Sequence, residues 1–268
     1  KLMTQKKKSA ITAVKTDFCP VVAVGASAGG LEAFTELLHS LPNNTGMAFV
    51  LIQHLDPKHH SMLAELLSKA ASMPVVEAKN GTRVEPDHIY VIPPNVKMEI
   101  AERRLQLTPR TEDQGQHTPI DFFMHSLAEA RNSQAIGVVL SVTASDGTRG
   151  LAAIKAEGGI TFAQDEKSAK YDGMPRSAIA SGCVDFILPP GKIARELSRI
   201  SGHPYLKQDS VAAVEKPTTS GEGGYEKIFG LLRRTSGIDF RQYKPGTIQR
   251  RTLRRMALHK IEELNDYA

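Results

Sequence analysis

The sequence predicts an α/β fold: a doubly wound, mostly parallel sheet with an antiparallel hairpin at one edge, followed by a short C-terminal helical segment. Three observations predict it. Apolar runs of strand length alternate with amphipathic runs of helix length from Phe18 to about Ser201. Tyr225 to Ala268 then reads as helix alone. The composition, 41% hydrophobic and 24% charged over 268 residues, is that of a soluble globular protein, long enough for one large domain and a smaller piece.

The elements follow in order. Residues 1–16 are polar and lysine-rich and are expected to form a disordered basic tail. Val21–Val24 reads as a buried strand, and Gly30–Leu41 as a helix with Leu31, Phe34, Leu37, Leu38 and Leu41 at helical spacing. Ala48–Ile52 is the next strand and Ser61–Ala71 the next helix. Pro74–Ala78 and His88–Ile92 are strand-like, and Lys97–Ala101 with Arg104–Leu107 forms the hairpin. Asp121–Arg131 and Gly147–Glu157 are helices around the strand Ala135–Leu140, and Ile160–Ala163 and Val184–Leu188 are strand-like. A unit over 17–202 is thereby defined. The stretch 203–224 breaks the pattern, and Pro217 to Gly224 has the composition of a flexible linker. In the helical segment 225–268, Ile248, Thr252, Leu253 and Met256 take one side of a helix, and Arg250, Arg251, Arg254 and Arg255 take the other.

Several function classes are excluded. No run approaches about 18 apolar residues, so no membrane insertion is expected. Lys6–Lys8 are not followed by an apolar stretch, so no secretory signal is expected. Two cysteines, Cys19 and Cys183, are too few for a disulfide framework and suit a cytoplasmic location. The net charge of +5 belongs to the C-terminal segment, which holds 10 Lys and Arg against 5 Asp and Glu. The rest of the chain is neutral, and nucleic-acid binding is not implied. No His/Cys cluster has metal-ligand spacing, so neither a metal nor another cofactor is expected.

Three segments carry the candidate chemistry, and each follows a strand-like run: Gly25-Ala26-Ser27-Ala28-Gly29-Gly30, Gln53-His54 and Ser145-Asp146-Gly147. In a parallel sheet these strand ends share one edge, which brings together a nucleophile, a base and an orienting carboxylate. Gly25-x-Ser27-x-Gly29 fits a nucleophile elbow, where a helix start offers amides to a developing oxyanion. It also resembles a dinucleotide loop. That reading lacks the acidic residue at the end of the next strand, where His54 stands instead. Asp146 has a bland alternative as the N-cap of the helix beginning at Gly147. His59, His60, His88 and His117 have no comparable placement. The order Ser27, His54, Asp146 differs from that of α/β-hydrolases, so a different fold is expected to carry the triad.

Together with Ile92-Pro93-Pro94, Gly173-Met174-Pro175 and Val184-Asp185, these segments resemble the chemotaxis protein-glutamate methylesterase (CheB) family over about residues 19–200. The resemblance implies hydrolysis of glutamyl methyl esters on chemoreceptors, and deamidation of certain receptor glutamines. Ser27 would be the nucleophile, His54 the general base and acid, and Asp146 the orienter. Ala28 and Thr143 would lie by the oxyanion, and Met174 in a loop near the substrate. The family typically has glycine where Val142 and Ala144 stand, so those two residues are expected to restrain the loop that carries Asp146. A receptor-binding or sensory module with weak catalysis is the alternative function. Ser236-Gly237-Ile238-Asp239 through Met256 resembles the start of the helical domain of the chemotaxis receptor methyltransferase (CheR). That likeness implies a fragment of a hybrid whose partners are methylated chemoreceptor helices and its own downstream domains. Arg250, Arg251, Arg254 and Arg255 would dock on the receptor.

Overall fold

The expected strands form because they are apolar on both sides. The structure of the chain, a computed structural model, describes residues 19–27, 30–54, 62–110, 118–141, 146–207 and 222–268. The basic tail at 1–16 lies outside these, as does most of the expected linker. β1 (Val21–Ala26), β2 (Ala48–Gln53) and β8 (Ala135–Val139) are buried at every position, as a parallel strand covered on both faces must be. Between β2 and β8 the chain runs through β3 (Val75–Glu77), β4 (Thr82–Arg83), β5 (Ile89–Val91), β6 (Val96–Ala101) and β7 (Arg104–Pro109). Beyond β8 come β9 (Ile160–Gln164) and β10 (Phe186–Leu188).

Among the described residues, seven of these strands make one sheet in the order β10-β9-β8-β1-β2-β5-β3, with every pairing parallel. The hairpin is present, but it belongs to a separate antiparallel sheet of order β4-β7-β6 rather than to an edge of the main sheet. From β1 the chain winds one way through β2 to β5 and β3, then returns through β8 to β9 and β10. The switch point therefore lies between β1 and β8, where open α/β sheets characteristically bind ligands at their carboxyl ends.

The sheet is covered by α1 (Leu31–His39), α2 (Leu63–Ser68), α3 (Pro119–Arg131), α4 (Thr148–Ala156), α5 (Gly173–Ala180) and α6 (Pro190–Ser201). α1 packs with α6, and α3 packs with α4 and with β6. α1 buries Ala33, Phe34, Leu37 and Leu38, the face its spacing predicts. Each such large side chain contributes about 1.5–3 kcal/mol. Phe162 and Phe186 stack across the β9–β10 pair with ring centroids 5.0 Å apart, an arrangement worth about 0.5–1.5 kcal/mol beyond burial. The helices α5 and α6 were not expected from the sequence.

The C-terminal region comprises α7 (Pro204–Lys207), α8 (Glu222–Ser236), α9 (Pro245–His259) and α10 (Leu264–Tyr267). α7 occupies the start of the expected linker because Tyr205 and Leu206 are buried there. α9 packs against α7, and its Leu253, Met256 and Ala257 join the main core. The helical segment thus docks on the α/β unit, which corrects the expectation that a linker keeps the two apart. The dock is rich in polar contacts. Arg199 donates to the Ala257 carbonyl at 2.6 Å, and Lys260 lies 3.5 Å from Glu196. His203 Nδ1 accepts from the Tyr205 amide at 3.2 Å, which leaves the proton on Nε2, facing the Ile261 carbonyl. Tyr205 donates its hydroxyl to the Gly158 carbonyl. Gly158 and Gly159 precede β9 and Asp185 precedes β10, so the dock sits at the amino end of the sheet.

Candidate active site

The opposite, carboxyl end of the sheet carries the candidate triad. The register pairs Ala26 with Gln53, so Ser27 and His54 leave neighbouring strands at the same level. Gln53 ties the two together: its side-chain amide donates to the Ser27 carbonyl at 3.0 Å, from a position only 7% exposed. The chain passes close to α3 here. A Cβ on Gly25 would meet the Ile120 side chain at 2.5 Å.

His54 Nε2 and Asp146 Oδ2 are 2.7 Å apart. The ring is partly open, with 28% of the His54 side chain exposed, whereas the Asp146 side chain is 2% exposed. With Nε2 facing the carboxylate, Nδ1 is the nitrogen left to exchange a proton with a neighbouring hydroxyl. The two residues are 92 positions apart in sequence, and the parallel topology brings them together.

Asp146 has a capping role, but not the one anticipated. The residue before α4 is Gly147, at φ +92, and it makes no side-chain cap bond. That positive φ favours glycine, and a Cβ there would also crowd Ile120 and Val139 at 3.0 Å. The Asp146 carboxylate instead turns to the start of α3. It accepts from the Ile120 amide at 3.0 Å and the Asp121 amide at 2.9 Å. Helix-start amides favour negative charge, so this carboxylate is both oriented and compensated without solvent.

The remaining expected residues separate into groups. Ala28, Val142, Thr143 and Ala144 lie outside the described residues, as do His59, His60 and His117. Met174 is the second residue of α5 and is fully buried. Its side chain is part of the core rather than a substrate-facing surface. His88 is near the surface, where Nδ1 meets the Pro86 carbonyl at 2.9 Å. Arg250, Arg251 and Arg255 are exposed. Arg254 is not part of their solvent face, because a buried acceptor set draws it inward. It donates to the Gly158 carbonyl at 3.0 Å, to the Gly159 carbonyl at 2.9 Å and to Asp185 Oδ2 at 2.7 Å.

Sequence reasoning missed a network that anchors Ser141, just beyond β8. Gln164, at the end of β9 and 2% exposed, accepts from the Ser141 amide at 2.8 Å. The Ser141 hydroxyl in turn donates to the Tyr171 carbonyl at 3.0 Å and accepts from the Tyr171 amide at 2.8 Å. A polar residue closing an apolar strand was the available signal. Among the described residues, no group of three or more His, Cys, Asp or Glu could hold a metal ion, and no helix is long and apolar enough to cross a membrane.

The CheB methylesterase family model matches residues 22–197, and the model for the all-alpha domain of CheR methyltransferase matches residues 223–268. A protein-glutamate methylesterase/protein-glutamine glutaminase of Photorhabdus laumondii is 38% identical over 186 residues, covering 68% of this chain and 53% of its own length. An uncharacterized 104.1 kDa protein of Rhodobacter capsulatus is 34% identical over 223 residues, 76% of this chain and 23% of its own. The chain thus spans about half the length of the methylesterases it matches, and less of the larger protein. The crystal structure of the Thermotoga maritima CheB methylesterase catalytic domain superposes with a TM-score of 0.63 at 29% identity, over 68% of this chain and 99% of that one.

Proposed function

Because the chain belongs to the CheB methylesterase family, we propose that it is a serine hydrolase that removes methyl esters from glutamate side chains of chemoreceptors, through Ser27, His54 and Asp146. The Ser27 hydroxyl oxygen attacks the ester carbonyl carbon while His54 Nδ1 takes its proton. The tetrahedral intermediate collapses, and the same proton goes to the departing methoxide, releasing methanol. A water molecule then attacks the acyl-serine, His54 takes its proton and returns it to Ser27, and glutamate is left on the receptor. The same steps on a receptor glutamine, with the proton going to the departing amide nitrogen and ammonia released in place of methanol, describe deamidation, the second activity in the names of the relatives.

The observation that carries this reading is the 2.7 Å His54–Asp146 pair beside the Ser27 elbow at the switch point of the sheet. Asp146 keeps the imidazole in one tautomer and stabilises the imidazolium formed at each attack. Residues 17–202 form the esterase unit and 225–268 the helical unit. The exposed Arg250, Arg251 and Arg255 supply an electrostatic contact to glutamate-rich receptor helices, which salt weakens. The setting is cytoplasmic, and the further partners are other domains of a hybrid signalling protein.

Methanol release from methylated receptor tests the proposal. Ser27→Ala should lower turnover by several orders of magnitude and leave only residual catalysis, with the melting temperature unchanged. Near-normal turnover in that variant would sink the triad. No methanol from the parent chain would favour the receptor-binding module instead.

A further inference from the structure

The first turns of α3 and α4 lack caps of their own. The preceding residues, Thr118 and Gly147, make no side-chain cap bond, although a helix start leaves several amides unsatisfied. Each helix is capped by a carboxylate associated with the other. Asp146, next to the start of α4, takes the Ile120 and Asp121 amides of α3. Asp121, in the first turn of α3, takes the Gly150 amide of α4 at 2.7 Å. Asp146 is 3% exposed and Asp121 is 5% exposed. The helices approach closely at this point, since a Cβ on Gly150 would lie 3.2 Å from the Asp121 Cα. Arg149 Nε also reaches Asp121 Oδ2 at 3.2 Å, but its side chain is 74% exposed, so the pair adds little.

This reciprocal arrangement has a consequence for His54. Asp146 Oδ2 serves two donors at once, the imidazole and the Ile120 amide. The backbone of Asp146 travels with α4, while its carboxylate is aimed by α3. A slip of one helix start against the other rotates the carboxylate off the imidazole, and the Asp121–Gly150 bond opposes that slip. Resting on the triad reading above, we propose that Asp121 is a positioning residue for the esterase, holding the Asp146 carboxylate on His54 Nε2 by locking the starts of α3 and α4 together. It touches neither substrate nor the reacting atoms.

The test compares Asp121→Ala, which cannot accept from Gly150, with Asp121→Asn, whose side-chain oxygen can. Asp121→Glu keeps the charge at the wrong length and serves if the alanine variant fails to fold. Two readouts are taken on folded protein: kcat and KM for methyl ester hydrolysis, and the His54 ring tautomer from nitrogen-15 shifts in histidine-labelled protein. The alanine or glutamate variant should lose about 100-fold in kcat, the scale of a small misplacement of a catalytic group, with KM little changed. Its His54 tautomer should become mixed, and Asp121→Asn should recover most of both properties. An unchanged kcat overturns the proposal, as does a fall in kcat with the tautomer intact, since the effect would not pass through Asp146. The tautomer readout needs no turnover, so it judges Asp121 even if Ser27→Ala were to show that the nucleophile is assigned wrongly.

Discussion

The two ends of the parallel sheet each bury a carboxylate, and the partners given to them differ. At the carboxyl end, Asp146 faces His54, whose imidazole nitrogens can each donate or accept a hydrogen bond. At the amino end, Asp185 faces Arg254, whose guanidinium only donates. Asp185 also accepts from the Thr161 amide and hydroxyl at 3.1 Å and lies 3.3 Å from Lys155. Both carboxylates are held by backbone amides. One arrangement suits a proton cycle and leaves its imidazole 28% exposed. The other is a permanent clasp, with 19% of the Arg254 side chain exposed. What separates the candidate catalytic carboxylate from the clasping one here is the hydrogen-bonding chemistry of its partner and that partner's access to solvent, and burial of the acid itself does not distinguish them.

Paired substitutions break the comparison most sharply. Asp146→Asn should lower esterase turnover by about four orders of magnitude, because an amide favours the wrong imidazole tautomer. Asp185→Asn should leave hydrolysis of a small ester unchanged and cost about 2 kcal/mol of stability, since it removes the charge opposite Arg254 while that arginine keeps its two carbonyl acceptors. Methanol release and thermal melting on both variants decide this. Loss of turnover in both would erase the distinction between the two ends.

The amino-end dock should also carry its own pH limits. Burial pushes the Tyr205 phenol up to about 12. Below about pH 10 the phenol is protonated in both folded and unfolded chains, and its stability contribution is fully present. Between 10 and 12 the unfolded chain releases the proton first, so stability falls by up to about 1.4 kcal/mol per pH unit. Burial, with Arg199 nearby, lowers the His203 pKa. Here the stability is complete above about pH 6.5 and declines as pH falls further, because the unfolded chain takes up the proton first. Melting curves should show both slopes, with Tyr205→Phe removing the alkaline one. A Tyr205→Phe profile that matched the parent above pH 10 would refute the assignment.

The smallest expected effect concerns the arginines. Replacing Arg250, Arg251 and Arg255 by glutamine should weaken receptor binding at low salt and leave the melting temperature unchanged. Arg254→Gln should do the reverse, lowering the melting temperature with little direct loss of binding. Equal effects on binding from both variants would return Arg254 to the solvent face.

The carboxyl end was the more legible of the two. β1, β2 and β8 are buried on both faces, so they read as unbroken apolar runs, and chemistry placed just past an apolar run marks a strand end. α6 starts at Pro189-Pro190-Gly191, which reads locally as loop, although its buried Ile193, Ala194, Leu197 and Ile200 follow at helical spacing. α5 carries Gly173 and Pro175 in its first turn, which read locally as loop. The dock was invisible for a different reason. Arg254 belongs to an arginine pattern that looks like one solvated face, and the carboxylate that claims it is 69 positions away. Nothing local to either helix start pairs Asp121 with Asp146.

That separation of 69 positions also orders events during synthesis. Ser27, His54, Asp146 and the α3–α4 caps are all in the chain before Asp185 is made. At about 5–20 residues per second, Arg254 follows Asp185 only after several seconds. In that interval Lys155, already translated, is the cation at hand for Asp185. The clasp at the amino end is then a late contact of high sequence separation, added to a sheet whose carboxyl end can already be assembled.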